Sequence, residues 1–368
     1  MTAAPTALRV LVVDDSLLFQ EALGTLLGAD PGLEVVGVVG TAAAAVASTH
    51  ALKPDILTLD LGLPDADGFS VVMQLMAERP TPILVLTATL NPAWRKEAFH
   101  ALSLGALDVL QKPDAADLAS PLWCRRLCER VKWLARSPVM PHLDFHRQQR
   151  QVRLEPTSAQ RQLVPPSVTR PTPTRGTATV PELVIWVGSA GSPRAVASLV
   201  EHLLPYLPLR VPILVALHLG SLMAEPLAHY LRDEFDLEAQ VLRAGDRLQA
   251  GRFYIAPGGC HLALNGRVAS LLQELPGARY CPELNHLLQS VANAYGPAAL
   301  AIILSGMGDD GSAGMLALHA AGGITLAQEP SSCLIDSMPQ NAIRAGGIHQ
   351  VLSLAAMVQR LALLTRLP

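Results

Sequence analysis

Short apolar runs alternate with longer amphipathic stretches from Leu8 onward, and the spacing predicts strands at residues 8–13, 34–39, 55–59, 83–87 and 106–110. Helical patterns fill the intervals, the last over about 118–135. Five such units imply a parallel sheet covered on both faces, with any site beyond the carboxyl ends of its strands. The pattern then stops. Residues 137–180 carry seven prolines and six arginines against only Asp144 and Glu155, and too few apolar positions to offset the cost of ordering. A flexible, locally basic linker is the expectation.

Periodicity resumes at 183–187, an apolar run that enters the small-residue turn Gly188-Ser189-Ala190-Gly191. Pro193 then opens a helix. A strand at 211–217 ends in His218, a helix follows near 223–235, and short strands are predicted at 238–242 and 252–256. Asn265-Gly266 predicts a hairpin between 261–264 and 268–271. A helix over about 282–295 precedes the strand 299–304, which runs into Ser305-Gly306-Met307-Gly308-Asp309-Asp310-Gly311 and a further helix.

At 368 residues, half of them hydrophobic, the chain can bury two ordinary cores. A formal charge of −3 offers no bulk attraction to nucleic acid or anionic lipid. No helix-turn-helix with a basic recognition helix follows the linker, which argues against a DNA-binding output. The first six residues lack a charged start before an apolar run, and no stretch has the roughly 18 apolar residues of a membrane span. A soluble, cytoplasmic protein is expected. The five cysteines show no metal-ligand spacing, and Cys124 and Cys128, one helical turn apart, read as a packed face.

Polar residues collect at the ends of the first set of strands. Asp14 and Asp15 follow the first, Asp60 the third, Thr87 ends the fourth, and Lys112 follows the fifth. Carboxylates brought to one edge repel unless a hard cation sits among them, and such oxygen ligands suit Mg²⁺. A phosphoryl group on Asp60 would find the metal, the Lys112 ammonium and the Thr87 hydroxyl around its oxygens.

Three strand ends in the second half each present one group: Ser189, His218, and Asp309 or Asp310. A serine hydroxyl needs a base to remove its proton, and an imidazole serves when a carboxylate fixes its tautomer. The glycine-rich turn 306–308 could offer backbone N–H groups to an oxyanion.

Val12-Val13-Asp14-Asp15-Ser16, Leu59-Asp60 with Pro64 and Asp67-Gly68, Thr87-Ala88 and Lys112-Pro113 together resemble a response-regulator receiver domain. Val109 stands where many receivers carry an aromatic switch residue, which speaks against an aromatic toggle. Residues 181–368 resemble the catalytic domain of the chemotaxis-type protein-glutamate methylesterases, the CheB family. That likeness rests on Ser189-Ala190-Gly191, Leu217-His218, the stretch from Tyr254 through Pro257-Gly258-Gly259-Cys260-His261, and Leu304-Ser305-Gly306-Met307-Gly308-Asp309-Asp310-Gly311. It continues through Ala313-Gly314-Met315-Leu316, Ala327-Gln328 and Ser337-Met338-Pro339.

The resemblance implies a flavodoxin-like (βα)5 receiver over 1–136, a linker over 137–180 and a doubly wound, mostly parallel α/β methylesterase domain over 181–368. It implies Ser189 as nucleophile, His218 as general base and acid, Asp310 as orienting carboxylate and the Met307 backbone in the oxyanion hole. The implied reaction removes γ-methyl esters from glutamates of a methylated chemoreceptor, releasing methanol, with deamidation of receptor glutamines as a companion activity. The implied regulation is phosphorylation of Asp60 by a CheA-type histidine kinase with Mg²⁺, relieving an inhibition by the receiver; the esterase itself needs no cofactor, and a monomer is expected. Departures fall around the cleft: Val187-Gly188 replaces the usual Gly-Ala, Ser192 a glycine and Leu217 a glutamine, and Leu219-Gly220-Ser221-Leu222-Met223 stands where Met-Pro-Pro-Gly-Phe is typical. The alternative is a non-hydrolytic regulator that competes for phosphoryl groups through a degenerate esterase fold, against which the unaltered Ser189, His218 and Asp310 stand.

Overall fold

The first five strands are short and rich in Val, Leu and Ile, and those over Leu8–Val13, Ile56–Leu59 and Ile83–Thr87 are mostly buried, as the middle of a sheet sandwiched between helices requires. In the computed structural model, which describes residues 7–365 apart from 88–91, 114–116, 119, 138, 140–179, 208 and 219–222, they form one parallel sheet in the order β2-β1-β3-β4-β5. The strands are β1 (Leu8–Val13), β2 (Leu33–Val39), β3 (Ile56–Leu59), β4 (Ile83–Thr87) and β5 (Asp108–Gln111). Helices α1 (Leu17–Gly28), α2 (Ala42–Leu52), α3 (Gly68–Glu78), α4 (Pro92–Leu104) and α5 (Pro121–Ala135) connect and cover them. Side chains of Ser16, Thr41, Asp67 and Ser120 accept N–H bonds from the first turns of α1, α2, α3 and α5, which fixes where those helices start. The last helix begins at Pro121 rather than near 118, because proline favours the first helical position behind a serine cap.

The second sheet has seven parallel strands in the order β14-β13-β12-β6-β7-β9-β8. They are β6 (Leu183–Gly188), β7 (Ile213–Leu217), β8 (Ala239–Val241), β9 (Phe253–Ile255), β12 (Ala299–Ile303), β13 (Ile324–Gln328) and β14 (Gln350–Leu352). The antiparallel hairpin β10 (His261–Asn265) and β11 (Val268–Leu272) stands apart, turning at Asn265-Gly266 as the sequence predicts. Among the described residues six α-helices complete this half: α6 (Ser192–Leu203), α7 (Ala224–Phe235), α8 (Leu284–Tyr295), α9 (Ser312–Ala320), α10 (Ser337–Arg344) and α11 (Leu354–Thr365). From β6 the chain winds outward to β7 on one side and returns to β12 on the other, so the strand order reverses beside β6. That reversal opens a crevice at the carboxyl end of β6.

The two halves touch. Helix α4 packs on α6 and α7, with Phe99 against Tyr230 at 4.5 Å between ring centroids. At the end of α5, the Ser137 hydroxyl donates to Met307 Sδ at 3.0 Å. Most of the linker predicted over 137–180 lies outside the described residues, as do 219–222 of the departing loop. Among the described residues no helix is long and apolar enough to cross a membrane.

Candidate active site and acidic pocket

Ser189 follows β6 directly, and the register pairs Val187 with Ile303 of β12 and Gly188 with Leu217 of β7. Three neighbouring strands therefore deliver Asp310, Ser189 and His218 to one edge, with the serine on the middle strand. The backbone ties the ends together: Ser189 N–H donates to Ser305 O at 3.1 Å, and His218 N–H to Gly188 O at 3.0 Å. Above the serine's strand, His218 Nε2 meets Asp310 Oδ2 at 2.8 Å. With Nε2 so engaged, Nδ1 is the ring nitrogen left for a serine hydroxyl. Of the two adjacent acids, Asp310 joins the histidine and is buried, whereas Asp309 lies exposed beside Arg279 at 3.4 Å.

Asp310 is held by the chain around it. Its oxygens accept N–H bonds from Leu284 (2.8 Å) and Asn285 (2.9 Å) at the start of α8, and from Gly311 (2.9 Å). Burial works against its charge most strongly, but the bonds from His218, Leu284 and Asn285 outweigh burial and hold the carboxyl below its usual range. An ionised Asp310 obliges His218 Nε2 to carry a proton. The Asn285 side chain accepts from Gly311 N–H at 3.0 Å and Gly314 N–H at 2.8 Å, locking α8 to the start of α9.

The loop after β12 is equally constrained. Ser305 N–H donates to Gln328 Oε1 (2.9 Å), Gly306 N–H to Ile335 O (2.9 Å) and Gly308 N–H to the Ser337 hydroxyl (3.1 Å). Met307 N–H, between two committed neighbours, has no acceptor among the described residues. A Cβ on Gly306 would lie 2.9 Å from Ser189 N and Cβ, so only glycine lets the loop come this close to the serine. Gly191, at φ 80°, turns the chain into α6, where a side chain would strike Leu334 and Ser305.

Two features escape the sequence pattern. Tyr280 stacks on His218, centroids 4.9 Å apart and planes 7° from parallel. An open groove of about 490 Å³ is lined by His261, Glu274, Arg279 and Tyr280. Tyr280 lies outside every predicted run, and although Asn285 falls inside the helix predicted over about 282–295, no spacing rule selects either residue.

At the other sheet, Asp14, Asp15 and Asp60 gather at the reversal between β1 and β3, one oxygen from each lying within 4.8 Å of the others. Lys112 Nζ bonds Asp14 at 2.6 Å and Asp60 at 2.7 Å. Burial pushes the Asp14 carboxyl up despite Lys112 and the Ser16 N–H; burial also opposes the Lys112 charge, but the two acids outweigh it and raise that ammonium. Thr87 closes β4 beside them, its carbonyl accepting from Lys112 N–H at 2.8 Å. Three hard oxygens at this spacing suit an octahedral Mg²⁺. Val109, on β5, is buried, with no aromatic in its place.

The family model for CheB methylesterase matches residues 184–361, and that for the response regulator receiver domain matches residues 10–122. A relative from Anaeromyxobacter dehalogenans named protein-glutamate methylesterase/protein-glutamine glutaminase 2 is 39% identical over 98% of this chain and 97% of its own. One from Myxococcus xanthus, the same kind of protein numbered 4, is 35% identical over 96% of each. The crystal structure of the Thermotoga maritima CheB methylesterase catalytic domain is 28% identical, with a TM-score of 0.47, over 50% of this chain and 98% of that one.

Proposed function

The chain belongs to the CheB methylesterase family, with a receiver domain ahead of the esterase, and from that premise we propose that Ser189, His218 and Asp310 carry out its hydrolysis. The protein is a phosphorylation-regulated protein-glutamate methylesterase of the chemotaxis type. The observation that carries the residue assignment is the His218–Asp310 bond spanning the strand that presents Ser189.

The steps follow from the groups present. Ser189 Oγ attacks the γ-ester carbonyl of a receptor glutamate while His218 Nδ1 takes its proton, and the imidazolium is balanced by Asp310. The oxyanion takes the Met307 N–H. Collapse expels methoxide, which leaves as methanol with the proton from His218. Water, deprotonated by the same nitrogen, then attacks the acyl-enzyme, releasing glutamate and returning the proton to Ser189. A receptor glutamine enters the same path with ammonia as leaving group. The groove beside Tyr280 gives a receptor segment a way to the serine.

Asp60 is the phosphoryl acceptor, with a CheA-type histidine kinase as donor. Asp15 and Asp60 would hold Mg²⁺, with Asp14 beside them, and the ion would supply positive charge against the incoming phosphoryl oxygens. Lys112 and Thr87 then bind phosphoryl oxygens. In full-length protein given a small phosphodonor and Mg²⁺, Asp60→Asn should keep basal methanol release and lose stimulation. Equal stimulation of parent and variant would exclude Asp60.

The resting inhibition runs through the contact of the two halves. Helix α4 follows the strand that ends at Thr87, and its partners α6 and α7 follow Ser189 and His218 in the chain. Ser137 donates to the sulfur of Met307, whose N–H serves the oxyanion, and Trp133 and Arg136 line a pocket of about 280 Å³ with that residue. Phe99→Ala removes the ring on Tyr230 and should raise unphosphorylated activity about fivefold or more; an unchanged basal rate would show that this contact does not restrain the esterase. This reading places the protein in the cytoplasm, acting as a monomer.

A further inference from the structure

One hydrogen bond at Nε2 fixes one corner of the His218 imidazole, but the ring plane can still tilt about that corner and carry Nδ1 away from the serine. A second restraint is needed to hold the plane. Tyr280 lies against the ring at 4.9 Å between centroids and 7° between planes. The tyrosine is itself wedged. Its hydroxyl reaches the turn at Gly308, where φ is 104° and an added Cβ would lie 2.9 Å from Tyr280 Oη. Only glycine leaves room there for the phenol. On the outer side the Arg279 guanidinium stands 6.0 Å from the tyrosine ring centre.

We propose that Tyr280 is a positioning residue for the esterase reaction, its ring clamping the His218 imidazole in the plane from which Nδ1 serves Ser189. The inference rests on the assignment of Ser189, His218 and Asp310. Tyr280 touches none of the reacting atoms and works through the histidine. It also joins the base to the oxyanion loop, because the turn that receives its hydroxyl is the one that carries Met307. When the serine proton arrives, the electron-rich face of the phenol lies along the new imidazolium, a favourable cation–π arrangement. Burial pushes the Tyr280 phenol up, which keeps it neutral while it does so. An apolar residue of similar bulk would fill the space without supplying a flat face.

The test compares Tyr280→Phe, Tyr280→Leu and Ser189→Ala in the full-length chain, following methanol release from methylated receptor membranes, with folding checked by circular dichroism at the assay temperature. Tyr280→Leu should lower kcat about ten- to hundredfold with KM within about twofold, while Tyr280→Phe stays within about threefold of the parent in both. A loss confined to KM, or equal rates for Leu and Phe, would overturn the clamp and leave Tyr280 as packing. Ser189→Ala separates the two levels: if it is inactive while the tyrosine variants match the parent, only the clamp fails; if it remains active, the underlying assignment fails.

Discussion

Methanol release from methylated receptor membranes should fall about 10⁴- to 10⁶-fold in Ser189→Ala, while binding of the membranes persists. The size follows from the site's economy. In the proposed steps this hydroxyl alone makes the covalent bond to the ester carbon. Its removal leaves the Met307 N–H and substrate binding as the remaining aids, and such remnants sustain a small residual rate. The variant should fold as the parent does, since the neighbouring restraints on Ser305, Gly306 and Gly308 use other atoms. Turnover near the parent rate would remove Ser189 from the mechanism.

The second large effect belongs to Asp310→Asn, with an expected loss of about 10³- to 10⁴-fold in kcat. The carboxylate accepts from His218 and from three backbone N–H groups. An amide cannot accept at both ends. Its NH₂ must face either the backbone donors, which is repulsive, or His218 Nε2, which forces the ring proton onto Nδ1 and deprives the serine of its base. The change also has a pH signature in stability. Asp310 is held below its usual range in the folded chain, so its contribution is present above the ordinary carboxylate range and is lost as pH falls through the lowered value. Asp310→Asn should therefore flatten the acid limb of the stability curve, measured by thermal unfolding between neutral and acidic pH. An unaltered limb would show that the carboxylate's charge is not what the backbone donors stabilise.

Much of this was legible in the chain before folding. Strand ends announce themselves because a buried parallel strand is a continuous apolar run, and the first polar residue after it must sit at the sheet's edge. Asp14, Asp60, Lys112, Ser189 and His218 were all found this way. The runs predicted as far as 304 fall on strands, whereas β13 and β14 have no counterpart among the predictions, and β7 begins at Ile213, two residues later than the apolar run, since Pro212 has no N–H to give the ladder. Other features have no one-dimensional trace. Asp309 and Asp310 are chemically identical neighbours that spacing does not separate; the family resemblance selects Asp310, and the fold turns it toward His218 and Asp309 toward Arg279. Tyr280 lies in a loop without periodicity. Phe99 and Tyr230 read as ordinary helix positions, and that they meet across the two halves depends on docking that sequence spacing does not encode.

Ser189, His218 and Asp310 act as one unit in the proposed mechanism, which the methanol-release rate of the double variant Ser189→Ala/Asp310→Asn, measured beside each single variant, tests. Parts of one unit fail together, so adding Asp310→Asn to Ser189→Ala should cost less than about threefold. A further loss as large as that of Asp310→Asn alone would mean that the two residues serve separate steps, and would contradict the account.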